Sequence, residues 1–191
     1  MAELTDLQRK ALAASGCEVR IDMLTRCLYA VDASIYRVEP AAVAFPRSAV
    51  EAATLLRAAS DGGVEITPRG AGTGLAGGAL GRGLVVDFAR HNRQISDYDP
   101  ESRTIRVGAG VVLDQLNAEL VQHGMWFGPD VATSSRATLG GMIANNSSGA
   151  HAPVYGTTAD HVVALEVVLA DGTVAVVGPD DDGLPAIRQR A

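Results

Sequence analysis

Apolar and polar positions along this chain follow two periods, and the elements are marked out where one gives way to the other. Leu4, Leu7 and Leu12 fall on one side of a helix over residues 3–15, with Gly16 as its stop. Residues 17–39 are less regular and end near Pro40. Val43-Ala44-Phe45 is a short apolar run closed by Pro46. Ser48-x-x-Glu51 then has capping-box spacing, in which hydroxyl and carboxylate satisfy the exposed N–H groups of a new helix. That helix carries Val50, Ala53 and Leu56 and stops at Gly62-Gly63, before a strand at 64–67. A compact βαβ unit with a right-handed connection is expected here.

Further strands are expected at 84–88 and 104–108, and Leu113, Leu116 and Leu120 mark an amphipathic helix ended by Gly124. The runs 162–169 and 173–177 flank Asp171-Gly172, a strong hairpin signal. The first half is therefore βαβ-like and the second is antiparallel sheet plus helices. Two lobes are expected, with a junction near residues 90–100, and Asp180–Asp182 is expected as a solvated tail.

Composition narrows the class. A 47% hydrophobic content over 191 residues, with net charge −6, excludes a disordered chain. The acidic balance argues against nucleic-acid binding, which needs a basic stripe. Lys10 is the single lysine among 16 basic residues, so lysine-based chemistry has almost nothing to act through. Cys17 and Cys27 form neither a CxxC pair nor a metal-ligand cluster and are expected as ordinary thiols. The start of the chain lacks the basic and apolar runs of a signal peptide, and the apolar stretch 162–170 is half the length of a membrane span. A cytoplasmic, soluble protein is expected, with peripheral attachment to the inner face of the membrane left open in a fuller protein.

The richest stretch is Pro68-Arg69-Gly70-Ala71-Gly72-Thr73-Gly74-Leu75-Ala76-Gly77-Gly78. Gly72, Gly74 and Gly77 match GxGxxG after a strand, but only six residues separate Gly77 from Leu84, which leaves no room for the crossover helix of a Rossmann unit. No lysine follows the glycines, so a Walker A loop is excluded as well. Such a stretch can turn successive backbone N–H groups inward as an anion nest, with Thr73 adding a hydroxyl. Diphosphate binding is the reading preferred over a wide structural turn. Five glycines in the nine residues 70–78 are entropically costly for a connector.

Residues 128–149 form a second stretch, dense in small hydroxyl and amide side chains, with Asp130 and Arg136 its charged members. Neutral donors and acceptors at short range suit a large heterocyclic ligand with phosphates. Gly140 and Gly141 would let backbone press against it; a loop with a helix capped at Thr138 is the plainer alternative.

The set 68–74, Pro129-Asp130, Ala137-Thr138-Leu139-Gly140-Gly141, 145–149, Tyr155-Gly156 and the 169–172 hairpin resembles the FAD-binding domain of FAD-linked oxidases. These form the vanillyl-alcohol oxidase and p-cresol methylhydroxylase (PCMH) superfamily. The nearest resemblance is to D-lactate dehydrogenase, glycolate oxidase flavoprotein subunit and D-2-hydroxyglutarate dehydrogenase proteins, and it runs from about Val31 to Val177. It implies an α+β fold, a two-lobed PCMH-type domain with FAD between a small βαβ lobe and a larger lobe of mainly antiparallel sheet with helices. On that reading residues 1–39 are a helical lead-in and 40–191 the FAD-binding domain, its lobes at about 40–97 and 98–191.

The resemblance also implies site residues. Arg69, Gly70, Ala71, Gly72, Thr73, Gly74 and Leu75 would cradle the diphosphate. Pro129, Asp130, Ala137, Thr138, Gly140, Gly141, Asn145, Ser147 and Gly149 would hold the ribityl chain and approach the isoalloxazine ring. Tyr155, Gly156 and Val162 would border the rest. Relatives that bind flavin covalently through the first loop carry His there; Thr73 and Leu75 imply non-covalent FAD. The family continues into a cap domain with the substrate pocket and catalytic base, and some members add an iron–sulfur domain. This chain is therefore expected to be an incomplete product or a fragment.

His91, His123, His151 and His161 show no metal spacing. His123 suits a helix C-terminus, His91 the surface, and His151 or His161 could face the flavin. Trp126 and Phe127 are expected to pack. The function expected is oxidation of a D-2-hydroxy acid by hydride transfer to flavin N5, with an electron acceptor to follow. The alternatives are a non-catalytic flavin-binding or electron-transfer subunit, and the FAD subunit of a molybdenum hydroxylase.

Overall fold

Helix α1 (Asp6–Ala14) opens the computed structural model, which describes residues 3–178; the acidic run 180–182 lies outside them. Thr5 and Gln8 cap α1 reciprocally, with Gln8 N–H donating to Thr5 Oγ1 at 3.2 Å and Thr5 N–H to Gln8 Oε1 at 2.8 Å. Leu4 and Leu12 are buried as expected, but Leu7 is 78% exposed. It lies five residues from Leu12, roughly 140° around the axis, so the two cannot share a face.

Strand β1 (Glu18–Arg20), helix α2 (Met23–Leu28) and strand β2 (Ala42–Phe45) follow. Helix α3 (Ala49–Asp61), strand β3 (Ile66–Arg69) and strand β4 (Leu84–Asp87) complete a four-stranded sheet in the order β1-β2-β4-β3. Strand β1 runs antiparallel to β2, and β2 and β3 both run parallel to β4. The βαβ unit is thus not a direct pair: β4 lies between β2 and β3, and Pro68 is tolerated because β3 is an edge. The first 39 residues are not a purely helical lead-in, since β1 is one of the sheet's strands.

Ser48 caps α3 through the Glu51 N–H at 3.1 Å, while the Glu51 carboxylate takes the N–H of Arg47 rather than that of Ser48. The inward face is Ala52, Ala53, Leu55 and Ala59. Val50, expected inside, is 72% exposed, because it too lies five residues from the buried Leu55. Strands β2 and β4 are buried at every position, as parallel strands covered on both faces are. Ala42, Ala44, Leu84 and Val86 pack with Leu12 and Leu55; Val43, Phe45 and Val85 pack with Tyr29. Glu18 ties the sheet edge down by ion pairs to Arg20 at 3.0 Å, Arg90 at 3.3 Å and Arg47 at 3.7 Å. The hydrogen bond from Arg20 is the main reason its carboxyl stays below the ordinary range.

The described residues divide into two compact units, 3–91 with 167–175 and 92–166 with 176–178. In the second, β5 (Ile95–Asp99) and β6 (Thr104–Val107) form an antiparallel ladder with an irregularity between Ser96 and Asp99. Helix α4 (Leu113–Leu120) continues into a 3-10 turn and ends at Gly124, whose φ of 67° turns the chain away. Helices α5 (Leu139–Ala144) and α6 (Ala152–Tyr155) follow, then a 3-10 turn at Thr158–His161. The core joins Val111, Leu113, Leu116, Leu120, Leu139 and Met142 to Ile95, Tyr98, Ile105 and Val107. His123 stacks on the Tyr98 ring, 3.8 Å between centroids. Strands β7 (Leu165–Val168) and β8 (Val174–Val177) form the hairpin expected around Asp171-Gly172. Arg57 of α3 donates to the carbonyls of Asp171 at 3.3 Å and Gly172 at 3.5 Å.

Candidate functional site

The parallel strands β3 and β4 end together, Arg69 opposite Asp87, and the glycine-rich loop leaves from that edge. Gly72 and Gly77 have φ of 68° and 76°, left-handed values that suit glycine. Among the described residues, no backbone N–H from Gly70 to Ala79 donates to a protein acceptor; the loop's own turn closes with Leu80 N–H to the Gly77 carbonyl at 3.1 Å. Ten successive positions with unused donors, partly exposed, form a surface for an anion.

The loop is held from outside itself. Arg69 Nη2 donates to the Val31 carbonyl at 2.9 Å, and Nη1 to the carbonyls of Tyr29 and Ala79, each at 3.4 Å. Its guanidinium lies 5.1 Å from the Tyr29 ring centroid. Ala33 N–H reaches the Gly72 carbonyl at 2.9 Å. Tyr29 donates its hydroxyl to the buried Asp87, and burial, followed by this hydrogen bond, pushes the phenol above its ordinary range. Sequence reasoning missed residues 29–33 because a contact across some forty residues leaves no local pattern.

The second stretch, in the other unit, is built differently. Its backbone is bonded into the protein: Leu139 N–H to the Val111 carbonyl and Gly140 N–H to the Ala109 carbonyl, both at 2.8 Å. Pro129 and Ala137 are buried, so their side chains serve packing; Thr138 is buried too, whereas Asn145 and Tyr155 are exposed. A Cβ on Gly140 would meet the Ala109 Cβ at 2.8 Å, so this glycine allows two backbones to meet. Thr138 Oγ1 is buried without a hydrogen-bond partner among the described residues. Asn145 Nδ2 donates to the Gly141 carbonyl at 2.9 Å. The Ser147 carbonyl receives the Thr158 hydroxyl at 2.6 Å.

His151 donates from Nδ1 to Asp130, and its N–H reaches the same carboxylate at 3.3 Å. The His151 side-chain hydrogen bond is the main cause that holds the Asp130 carboxyl below its usual range. This pair closes the stretch end to end, and sequence spacing offered no signal for it. His161 donates to the Tyr155 carbonyl at 2.7 Å and lies beside Phe127. Trp126 meets Tyr155 edge to face at 5.8 Å. Among the described residues no helix is long and apolar enough to cross a membrane, and no His, Cys, Asp and Glu cluster could hold a metal.

Comparison with known proteins bears on this arrangement. A family model described as FAD binding domain matches residues 40–178. D-2-hydroxyglutarate dehydrogenase of Pantoea ananatis is 45% identical over 157 residues, 81% of this chain and 15% of the relative. The Escherichia coli protein of the same name is 41% identical over 179 residues, 92% of this chain and 17% of the relative. This chain thus spans about a sixth of those relatives. Among solved structures, wild-type BBE-like 1 of Physcomitrella patens superposes with a TM-score of 0.83 at 24% identity, covering 95% of this chain and 40% of that one. 6-Hydroxy-D-nicotine oxidase of Arthrobacter nicotinovorans gives 0.78 at 26% identity, over 90% of this chain and 38% of the other. The α+β, PCMH-type fold and the family resemblance expected from the motifs both hold, and FAD is the cofactor that they carry. The chain belongs to the FAD binding domain family of the FAD-linked oxidases.

Proposed function

We propose that this chain is the flavin-holding part of a dehydrogenase or oxidase that acts on a D-2-hydroxy acid. The observation that carries the cofactor half of this reading is the run of unused N–H donors from Gly70 to Ala79. A diphosphate presents oxygen acceptors to match it, and glycine backbone lets them come close. The substrate half is supported by the relatives named D-2-hydroxyglutarate dehydrogenase, which are 45% identical over 157 residues and 41% identical over 179. When bound, FAD supplies the acceptor for a hydride.

This chain's residues do the holding. The loop from Arg69 to Leu75 receives the diphosphate. Asn145, Ser147 and Tyr155 offer side chains to the ribityl chain and ring, and Gly141, Gly149, Gly156 and Val162 give backbone and surface beside them. Thr138 contributes a buried hydroxyl that lacks a partner among the described residues. Non-covalent attachment belongs to this reading, and the loop that would receive the diphosphate holds no His, Cys or Tyr between Gly70 and Ala79.

Titration with FAD, followed by flavin fluorescence, tests the cofactor half. Gly74 is the right position for a variant, because an added Cβ there meets nothing within 4 Å and the backbone is not left-handed. Gly74→Asp sets a carboxylate against the diphosphate without a steric cost. Its affinity should collapse while its melting temperature stays put; unchanged affinity overturns the reading. Acid precipitation should release all bound flavin, and flavin left on the pellet overturns non-covalent attachment. For the substrate half, the longest gene product containing these residues is mixed anaerobically with D-2-hydroxyglutarate, D-lactate or glycolate. A flavin that stays oxidised with all three overturns the substrate class.

A further inference from the structure

The guanidinium of Arg69 is committed to the protein. Three of its N–H groups are used on the carbonyls of Tyr29, Val31 and Ala79, and its face lies against the Tyr29 ring. Two of these contacts have a particular consequence. Arg69 stands where the glycine loop begins and Ala79 where it ends, so one side chain ties both ends together. Val31 belongs to the segment whose next-but-one residue, Ala33, donates to the Gly72 carbonyl in the middle of the loop at 2.9 Å. The side chain also fills the space beside Gly72: a Cβ there would stand 2.7 Å from Arg69 Nη2. Arg69 is held in turn, because the Tyr29 ring beneath it is fixed by the hydroxyl bond to Asp87. Asp87 accepts from Ala89 N–H at 2.6 Å and Arg90 N–H at 3.1 Å as well. A planar fork that reaches several carbonyls at once is something lysine cannot reproduce.

We propose that Arg69 is a positioning residue for the flavin diphosphate: with Tyr29 and Asp87 it braces residues 29–33 against the glycine loop and so keeps the loop's N–H groups presented. It does not grip the phosphates. This rests on the reading that the loop takes the diphosphate. It assigns a part in cofactor binding to residues 29–33, which lie before the matched region 40–178. A glycine-rich loop left unbraced samples many conformations, and binding then costs the ordering that the brace supplies in advance.

The test compares Arg69→Gln, Arg69→Lys and Tyr29→Phe with the wild type, each first shown to melt cooperatively. The first readout needs no flavin. Thermolysin has target bonds before Leu75 and Leu80, and Leu75 is 78% exposed. In the apo protein both Arg69 variants should be cut there about tenfold faster than wild type, as local opening of the loop requires. The second readout is FAD affinity against salt. Both Arg69 variants should bind about 30-fold more weakly with the wild-type salt slope, since a lost brace is not a lost ion contact. Tyr29→Phe should show the same two effects, several-fold smaller.

Cleavage at the wild-type rate in both Arg69 variants overturns the brace. So does near-wild-type affinity in Arg69→Lys with a shallower salt slope in Arg69→Gln, because the charge would then act on the phosphate directly. Wild-type protein that binds no FAD refutes the reading on which the proposal rests, while the thermolysin comparison still decides the brace.

Discussion

Two glycine-bearing stretches, one in each unit, look alike in composition and differ in what their backbones do. From Gly70 to Ala79 the N–H groups have no acceptor among the described residues, and the loop's shape comes from Arg69 and residues 29–33. From 129 to 149 much of the backbone is already bonded, Asp130 and His151 close it, and Gly140 and Gly149 sit against other backbone. The first stretch keeps its hydrogen-bonding capacity for something else. The second uses much of it to hold itself together. Glycine serves open donors in one and close packing in the other, so a glycine count alone cannot tell a binding loop from a tightly built turn.

Paired substitutions sharpen that difference. The largest effect is expected from Gly149→Ala, whose new Cβ would run into the Asp130 carbonyl and carboxylate. Overpacking against backbone should cost about 3 kcal/mol, read by urea unfolding. Gly74→Ala, in open space, should leave stability unchanged within roughly 0.5 kcal/mol. Equal losses at the two positions would break the comparison. Next comes Gly74→Asp, with FAD binding weakened about 100-fold, or roughly 2.7 kcal/mol, on titration.

A smaller effect is expected at alkaline pH. The Tyr29 phenol is raised in the folded state, so its share of stability is fully present below 10.0, the ordinary value, and is lost as pH rises toward the folded value. Absorbance at the phenolate band should show one of the four tyrosines silent until the fold opens, and Tyr29→Phe should remove that delay. The smallest effect concerns Asp130. Its carboxyl is lowered in the fold, so its contribution is present above 3.8 and disappears as pH falls through the depressed value. Asp130→Asn should flatten that part of the acid limb in melting curves recorded from pH 5 downward. An unchanged limb would leave the Asp130–His151 closure without weight.

Much of the frame was legible in the sequence because its signals are local. Gly124 and the Asp171-Gly172 turn fall where they were expected, as does the cap at Ser48. Helix faces were read less well. Leu7 and Val50 fitted an apolar stripe by count, yet each is five residues from the leucine that is buried, and the angle excludes them. Strand β5 was not anticipated, because Ile95-Ser-Asp-Tyr-Asp holds two apolar residues among polar ones and bends at an irregularity. The glycine loop announced itself, while its brace did not. Tyr29, Val31 and Arg69 meet only once the chain has folded, and none has a neighbour in sequence to reveal the partnership.

The sheet order has a consequence for how the chain comes together in time. Strands β2 and β3 pair in parallel only with β4, which is made after both. Until residues 84–87 are available, the fully buried strand β2 has β1 as its one partner and β3 has none. At a synthesis rate of about 5–20 residues per second, the apolar 42–45 run waits on the order of seconds for its neighbour. Strand β4 is the keystone, and a chain released before it emerges would leave open the two strand edges that β4 covers, one on β2 and one on β3, suited to pairing with another copy of itself.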